Sequence, residues 1–163
     1  TLSYEPNINA LKDIIENINP LLQQQKDFNY KIIICGKNLP SYFNELEEGK
    51  YENIIFAGFV TDVELYFKGA DLFINPVVDG GGIKTKLVEA LGYNLTSISY
   101  RTGATGLPAE VSKGKLILVK NNDSASFSEA IVNAPINNTI DTIFYDYFSW
   151  NNIAKKAAAI IDK

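Results

Sequence analysis

The sequence predicts an α/β domain of three layers, a mostly parallel sheet of about five strands with helices on both faces. Two observations carry this. Five short apolar runs rich in β-branched residues recur, at 31–35, 53–57, 72–75, 96–99 and 116–119, and each reads as a strand buried on both sides. Stretches of helical periodicity lie before, between and after them, at 8–25, 40–48, 62–68, 84–92 and 125–134. Strand and helix alternate, which implies parallel pairing through crossover helices.

The elements follow in order. Segment 8–25 is a long periodic stretch ahead of the first strand, "KIIIC". Before helix 62–68, Thr61 and Glu64 form the Ser/Thr-x-x-Glu pattern that caps a helix start. In helix 84–92 the residues Ile83, Leu87, Ala90 and Leu91 fall on one core-facing stripe, and Asn94 can take the left-handed cap that ends it. After 125–134 the rhythm breaks at Pro135 and an asparagine pair. An aromatic cluster follows, Phe144, Tyr145, Tyr147, Phe148 and Trp150, in which Trp150 and its neighbours are expected to anchor a closing helix at 151–162 by burying ring area. This tail packs across the domain rather than adding a strand. No repeat or low-complexity linker divides the chain, so residues 1–163 are expected to form a single domain.

Composition narrows the chemistry. The formal charge is −4, so no broad basic field exists for nucleic acid or an anionic membrane surface, and any anion site must be local. No apolar run approaches the roughly 20 residues needed to cross a bilayer. Histidine is absent and Cys35 is the one cysteine, which argues against catalytic triads, zinc hydrolysis, disulfides and thiol clusters. Cys35 itself reads as a small core residue. These features suggest a cytoplasmic protein, and neither a metal nor a cofactor is expected.

In open sheets of this kind, ligands collect beyond the carboxyl ends of the strands. Four loops lie there: after Gly36, after Gly58, at 76–82 and at 100–106. The third, "PVVDGGG", runs straight into "IKTKLVEAL". Gly80, Gly81 and Gly82 let the backbone turn tightly and approach a ligand. The helix that follows is positive at its start, and Lys84 and Lys86 make it more so, an arrangement favourable only beside an anion. Glu89 faces the negative end of the same helix, again unfavourable unless its carboxylate accepts hydrogen bonds from hydroxyls. A diphosphate at the helix start with a ribose further along satisfies both oddities. A second account stays open: the charges are the wet face of an amphipathic helix, with Lys86 and Glu89 three residues apart as a weak surface pair.

The stretch "INPVVDGGGIKTKLVEALGYN" resembles the donor loop of the retaining GT-B glycosyltransferases of the group-1 type, through Pro76, Gly80, Gly82, Lys84, Lys86, Glu89 and Ala90. The order of "PNINALKDIIENINP", "KIIICGK", "ENIIFAGFVTDVELYFKGADLFINP" and "FSW" on either side is similar too. The resemblance implies a Rossmann-like domain that is one half of a GT-B fold. It would hold a nucleoside-diphosphate sugar as substrate at Gly81, Gly82, Ile83, Lys84, Thr85, Lys86 and Glu89, with amides and lysines on the diphosphate and Glu89 on the ribose. The loops after Gly36 and Gly58 would border the base. No catalytic residue is assigned, and the acceptor-binding N-terminal domain would be a separate part of a longer chain, so these residues alone are not expected to turn over. The implied location is cytoplasmic, including the inner face of the membrane.

Several positions depart from that pattern. Many relatives carry a glutamate touching the donor sugar where this chain has Gly81. They also begin the domain with a central strand that is missing ahead of Thr1, which would leave a slot between the strands at Lys31 and Leu72. Asp79, Arg101, Gly103 and Gly106 border the crevice, but a solvated aspartate, a reserve phosphate partner and turn-forming glycines describe them. A noncatalytic nucleotide- or phosphate-binding module of doubly wound fold is the alternative function, and a purely structural fragment is a third.

Overall fold

A computed structural model describes residues 1–136 and 139–161, the side chains of Glu47 and Lys156 excepted. The chain opens with a long helical segment in three parts: α1 (Glu5–Asp13), a π-helical stretch (Ile14–Ile18) and α2 (Asn19–Gln23). The sequence predicts one regular helix here. Pro20 explains the difference, because it has no N–H to return to the preceding turn and its ring crowds the carbonyl four residues back. The backbone widens just ahead of it, and the Asn19 N–H reaches the Ile14 carbonyl, five residues away.

Strand β1 (Ile32–Cys35) is followed by a 3₁₀ turn (Ser41–Phe43), α3 (Asn44–Glu47) and β2 (Ile54–Gly58). Helix α4 (Val63–Gly69) is capped by Asp62, whose carboxylate accepts the Glu64 N–H at 3.0 Å. The helix thus starts one residue later than the Thr61 pattern indicates. Then come β3 (Leu72–Asn75), α5 (Thr85–Gly92), β4 (Thr96–Tyr100), a 3₁₀ turn (Thr102–Ala104), α6 (Ala109–Ser112), β5 (Leu116–Val119) and α7 (Ser124–Val132). The tail contains α8 (Thr142–Phe148), which the aromatic cluster did not advertise as a helix, and α9 (Trp150–Ile161). Asp162, the expected end of α9, lies outside the described residues.

All the pairing is parallel, so the α/β class stands, but the strands form two ladders rather than one sheet. β1 pairs with β2, and β3, β4 and β5 pair in that order. Among the described residues no ladder joins β1 or β2 to β3, β4 or β5. The Ile32 N–H reaches Asn53 O and the Gly36 N–H reaches Gly58 O, both at 2.8 Å. Because parallel strands alternate their bonding residues, Ile33 and Cys35 turn their backbone groups to the other edge. Ile33 and its register partner Ile55 remain 50% and 46% exposed.

One core nevertheless crosses the divide. Ile32, Ile34 and Ile54 share a cluster with Ile14, Ile18 and Leu22 of the opening helices, with Ile98, Tyr100 and Val119, and with Phe127 of α7. A second cluster joins Leu87 and Leu91 of α5 to Val111, Leu116 and Phe144. Phe144, 2% exposed, anchors the tail, whereas Trp150 is 84% exposed. The expected anchoring role of Trp150 is therefore wrong: it starts α9, beyond the reach of the core that Phe144 enters.

Candidate functional site

The site is built where β3 ends. Pro76 and Val77 are buried, Val78 is half-buried, and Asp79 to Ile83 are exposed. Gly80 and Gly82 have φ of +85° and +76°, a left-handed backbone that a side chain would strain. Gly81 and Gly82 have nothing within 4 Å of where a Cβ would stand, while that point on Gly80 lies 3.2 Å from both Tyr4 Oη and Lys84 Nζ. The turn is thus open at its tip and supported at its first glycine.

Helix α5 starts directly after it. Lys84 is the N-cap, without a side-chain cap, and its carbonyl accepts the N–H groups of Leu87 and Val88 at 2.9 and 3.3 Å. The amides of Thr85 and Lys86 precede the first intrahelical bond, at the end where the peptide dipoles leave about half a positive charge. Leu87, Ala90 and Leu91 are buried as the stripe requires. Ile83 is not: it is 51% exposed and stands against Gly106 instead of entering the core. Asn94 ends the helix at φ +66°, with Leu95 N–H on Ala90 O and Asn94 N–H on Leu91 O, a Schellman arrangement.

The charged groups are engaged locally. Lys84 Nζ donates to Gly80 O at 2.7 Å and Gly81 O at 3.4 Å, stitching the glycine turn to the helix start. Lys86 Nζ donates to Glu89 Oε2 at 2.6 Å. The structure therefore brings Gly81, Gly82, Ile83, Lys84, Thr85, Lys86 and Glu89 onto one accessible turn and helix, and Lys86 and Glu89 form the surface pair that their spacing permits. The loop after β1 is tied to the opening residues, and the loop after β2 is mostly exposed. Leu2 N–H reaches Lys37 O at 2.8 Å, and Gly58 turns at φ +67° ahead of Phe59, which is 68% exposed.

Sequence reasoning missed a polar junction on the α1 side. Tyr100 Oη and Ser124 Oγ donate to the Asp13 carboxylate at 2.7 and 2.8 Å, and Asn17 Nδ2 donates at 2.9 Å. The partners lie 87 and 111 residues from Asp13, a separation that no local pattern reveals. Burial pushes the Tyr100 phenol well above its ordinary range, with the Asp13 charge acting the same way. A cavity of about 440 Å³ opens beside this junction, bounded by Asp13, Glu16, Pro76, Val78, Tyr100 and Ser124. It touches none of residues 80–89. Cys35 is half-buried, and burial raises its thiol pKa, favouring the unreactive thiol.

Among the described residues no group of three or more His, Cys, Asp or Glu side chains is arranged to hold a metal ion, and no helix is long and apolar enough to cross a membrane.

Comparison with known proteins agrees on the fold. Two crystal structures of the Anabaena protein Alr3699/HepE, one in complex with UDP and one with UDP and glucose, superpose with TM-scores of 0.66 and 0.64 at 18% identity. Each covers 89% of this chain, which spans 43% of theirs. A Klebsiella pneumoniae protein described as an uncharacterized 44.6 kDa protein in the cps region is 23% identical over 133 residues, 78% of this chain and 33% of its own length. The chain thus spans less than half of the proteins it matches, in the Rossmann-like half of a GT-B architecture. The family model for glycosyl transferases group 1 matches residues 1–135, and on that match the chain belongs to the group 1 glycosyltransferases.

Proposed function

We infer that this chain is the donor-binding half of a glycosyltransferase that moves a sugar from a nucleoside diphosphate to an acceptor held by another domain of the same enzyme. The observation that carries the reading is the accessible glycine turn leading into α5, with Gly80 and Gly82 left-handed and two lysines at the positive helix end. In this reading the amides from Gly81 to Thr85 receive the diphosphate, Lys84 and Lys86 neutralise it, and Glu89 accepts the ribose hydroxyls. Lys84 adds to its carbonyl partners a phosphate oxygen, and Lys86 exchanges Glu89 for one. The solved relative bound to UDP supports a uridine nucleotide as the first ligand to try.

Family membership favours a transferase over a purely structural role. The noncatalytic nucleotide-binding alternative draws on one residue, Gly81, which leaves open space where many relatives carry a glutamate on the donor sugar. Chemistry by retention, with the donor diphosphate assisting and no metal, belongs to the two-domain enzyme rather than to residues 1–163 alone.

Calorimetry with uridine and guanosine diphosphates tests the binding step. One of them binds the wild type and is lost in Glu89→Ala. Binding of neither, or binding indifferent to Glu89, overturns the reading. Sugar transfer by the full-length protein then separates enzyme from noncatalytic module.

A further inference from the structure

The loop after β4 meets the glycine turn at two points. Gly103, in the 3₁₀ turn Thr102–Ala104, has no room for a side chain. A Cβ there would lie 2.6 Å from the Val77 carbonyl oxygen, 2.7 Å from Asn75 Nδ2 and 2.8 Å from Ser99 Oγ. Asn75 is buried at the end of β3, and its Nδ2 donates to Gly103 O at 3.0 Å and to Ser99 Oγ at 2.9 Å. At the other end Gly106 stands at φ +84°, with its Cβ position 2.9 Å from Ile83 Cγ1. The segment therefore touches Val77 before the three glycines and Ile83 after them.

This segment is itself anchored. Thr102 donates its N–H to Asn121 Oδ1 at 3.1 Å, Asn121 Nδ2 returns a bond to Thr102 Oγ1 at 2.5 Å, and Arg101 N–H reaches Val119 O at 3.0 Å. The anchor is thus β5 and the loop after it, a part of the molecule that does not line the glycine turn.

Three successive glycines have more conformational freedom to lose than any other tripeptide. A turn that must order itself around a ligand binds it more weakly than one already held in shape. We propose that residues 102–106 are a brace that holds the glycine turn in its receptive conformation, with Asn75 and Gly103 as positioning residues that fix Val77 and with Gly106 as a stop for Ile83. This rests on the donor-binding reading. None of Asn75, Gly103 and Gly106 needs to touch the nucleotide.

The test combines hydrogen exchange with UDP calorimetry on Gly103→Ala, Asn75→Ala, Gly106→Ala and the double variant Gly106→Ala with Ile83→Ala. In Gly103→Ala and Asn75→Ala, amides of residues 80–86 exchange about tenfold faster, UDP binds about tenfold more weakly, and β1–β2 amides are unchanged. In Gly106→Ala the same amides lose protection, and in the double variant the shortened Ile83 recovers the part of that loss due to the contact, while the strain of a side chain at φ +84° is common to both. Unchanged exchange at 80–86, or a uniform rise across the whole domain, overturns the brace. Where Gly103→Ala fails to fold, the Gly106 pair decides, because its two variants share the backbone strain at φ +84° and differ only in the Ile83 contact. Absence of both UDP and GDP binding in the wild type rejects the donor reading, and the exchange comparison still decides whether the turn is braced.

Discussion

Lys86 Nζ lies 2.6 Å from Glu89 Oε2, one helical turn apart on the outer face of α5, with the two side chains 59% and 44% exposed. Such a pair contributes only a few tenths of a kcal/mol to stability. It competes, however, with the proposed ligand for both groups. Lys86→Ala and Glu89→Gln should therefore leave thermal unfolding within a degree or so of wild type while each weakens UDP binding by about tenfold. Thermal scans and calorimetry on the same samples check this. Variants that lower stability and leave affinity intact would reduce the pair to a surface contact.

The glycines should separate by conformation rather than by space. Gly82 has φ +76° and open surroundings, so Gly82→Ala meets no atom and still strains the backbone by about 1 kcal/mol. Gly81 has equally open surroundings without the positive φ, so Gly81→Ala should match wild-type stability or slightly exceed it. Chemical denaturation of the two variants decides, with the midpoint falling for Gly82→Ala alone.

What the sequence discloses is local. The strands are legible because "KIIIC", "LFIN" and "LILV" are apolar on both alternating faces, and α5 because Leu87, Ala90 and Leu91 repeat on one side. Helix α8 is hidden because its rings and β-branched residues favour strands by propensity, and Asp141, whose carboxylate accepts the Ile143 N–H, fixes the helix instead. The glycine turn and its lysines are contiguous in sequence, hence visible. Contacts between distant segments are not: Asn75 meets Gly103 and Asp13 meets Ser124 across 28 and 111 residues, and nothing in either segment marks its partner. The division of the strands into two ladders is likewise a matter of which edges pair, which no run of apolar residues records.

Tyr100 should dominate the alkaline limb of stability. Its phenol is pushed above the ordinary value of 10.0, first by burial and further by the Asp13 charge that its hydroxyl donates to. Below pH 10 both folded and unfolded chains hold the proton and the contribution is complete. Above it the unfolded tyrosine ionises first, so stability falls as pH rises toward the folded value. Burial also raises Tyr30 and Tyr51, which act in the same direction, and lowers Lys115, which acts in the opposite one. The difference between wild type and Tyr100→Phe isolates the Tyr100 share. The variant should lose about 1 kcal/mol at neutral pH with the hydrogen bond and unfold with a shallower pH dependence above 10. Parallel curves in denaturant titrations from about pH 8 to about pH 11, a span that contains the ordinary tyrosine value, would contradict this.

Trp150 gives a direct view of the tail because it is the one tryptophan in the chain. It is 84% exposed at the start of α9, and Ile160 and Ile161 at the far end are 74% and 81% exposed. Among the described side chains of α9 all but that of Asn152 are exposed, so this helix follows α8 with its apolar residues facing solvent and does not pack across the domain as the sequence predicts. Native protein should emit like a solvated indole, with acrylamide quenching close to that of the denatured chain, and Trp150→Phe should leave stability within about 0.5 kcal/mol of wild type. Phe144→Ala, which empties a site 2% exposed, should cost about 3–5 kcal/mol by opening a cavity under the same tail. Strong protection of Trp150 from quenching, or a loss in Trp150→Phe as large as that in Phe144→Ala, would contradict the exposed start of α9.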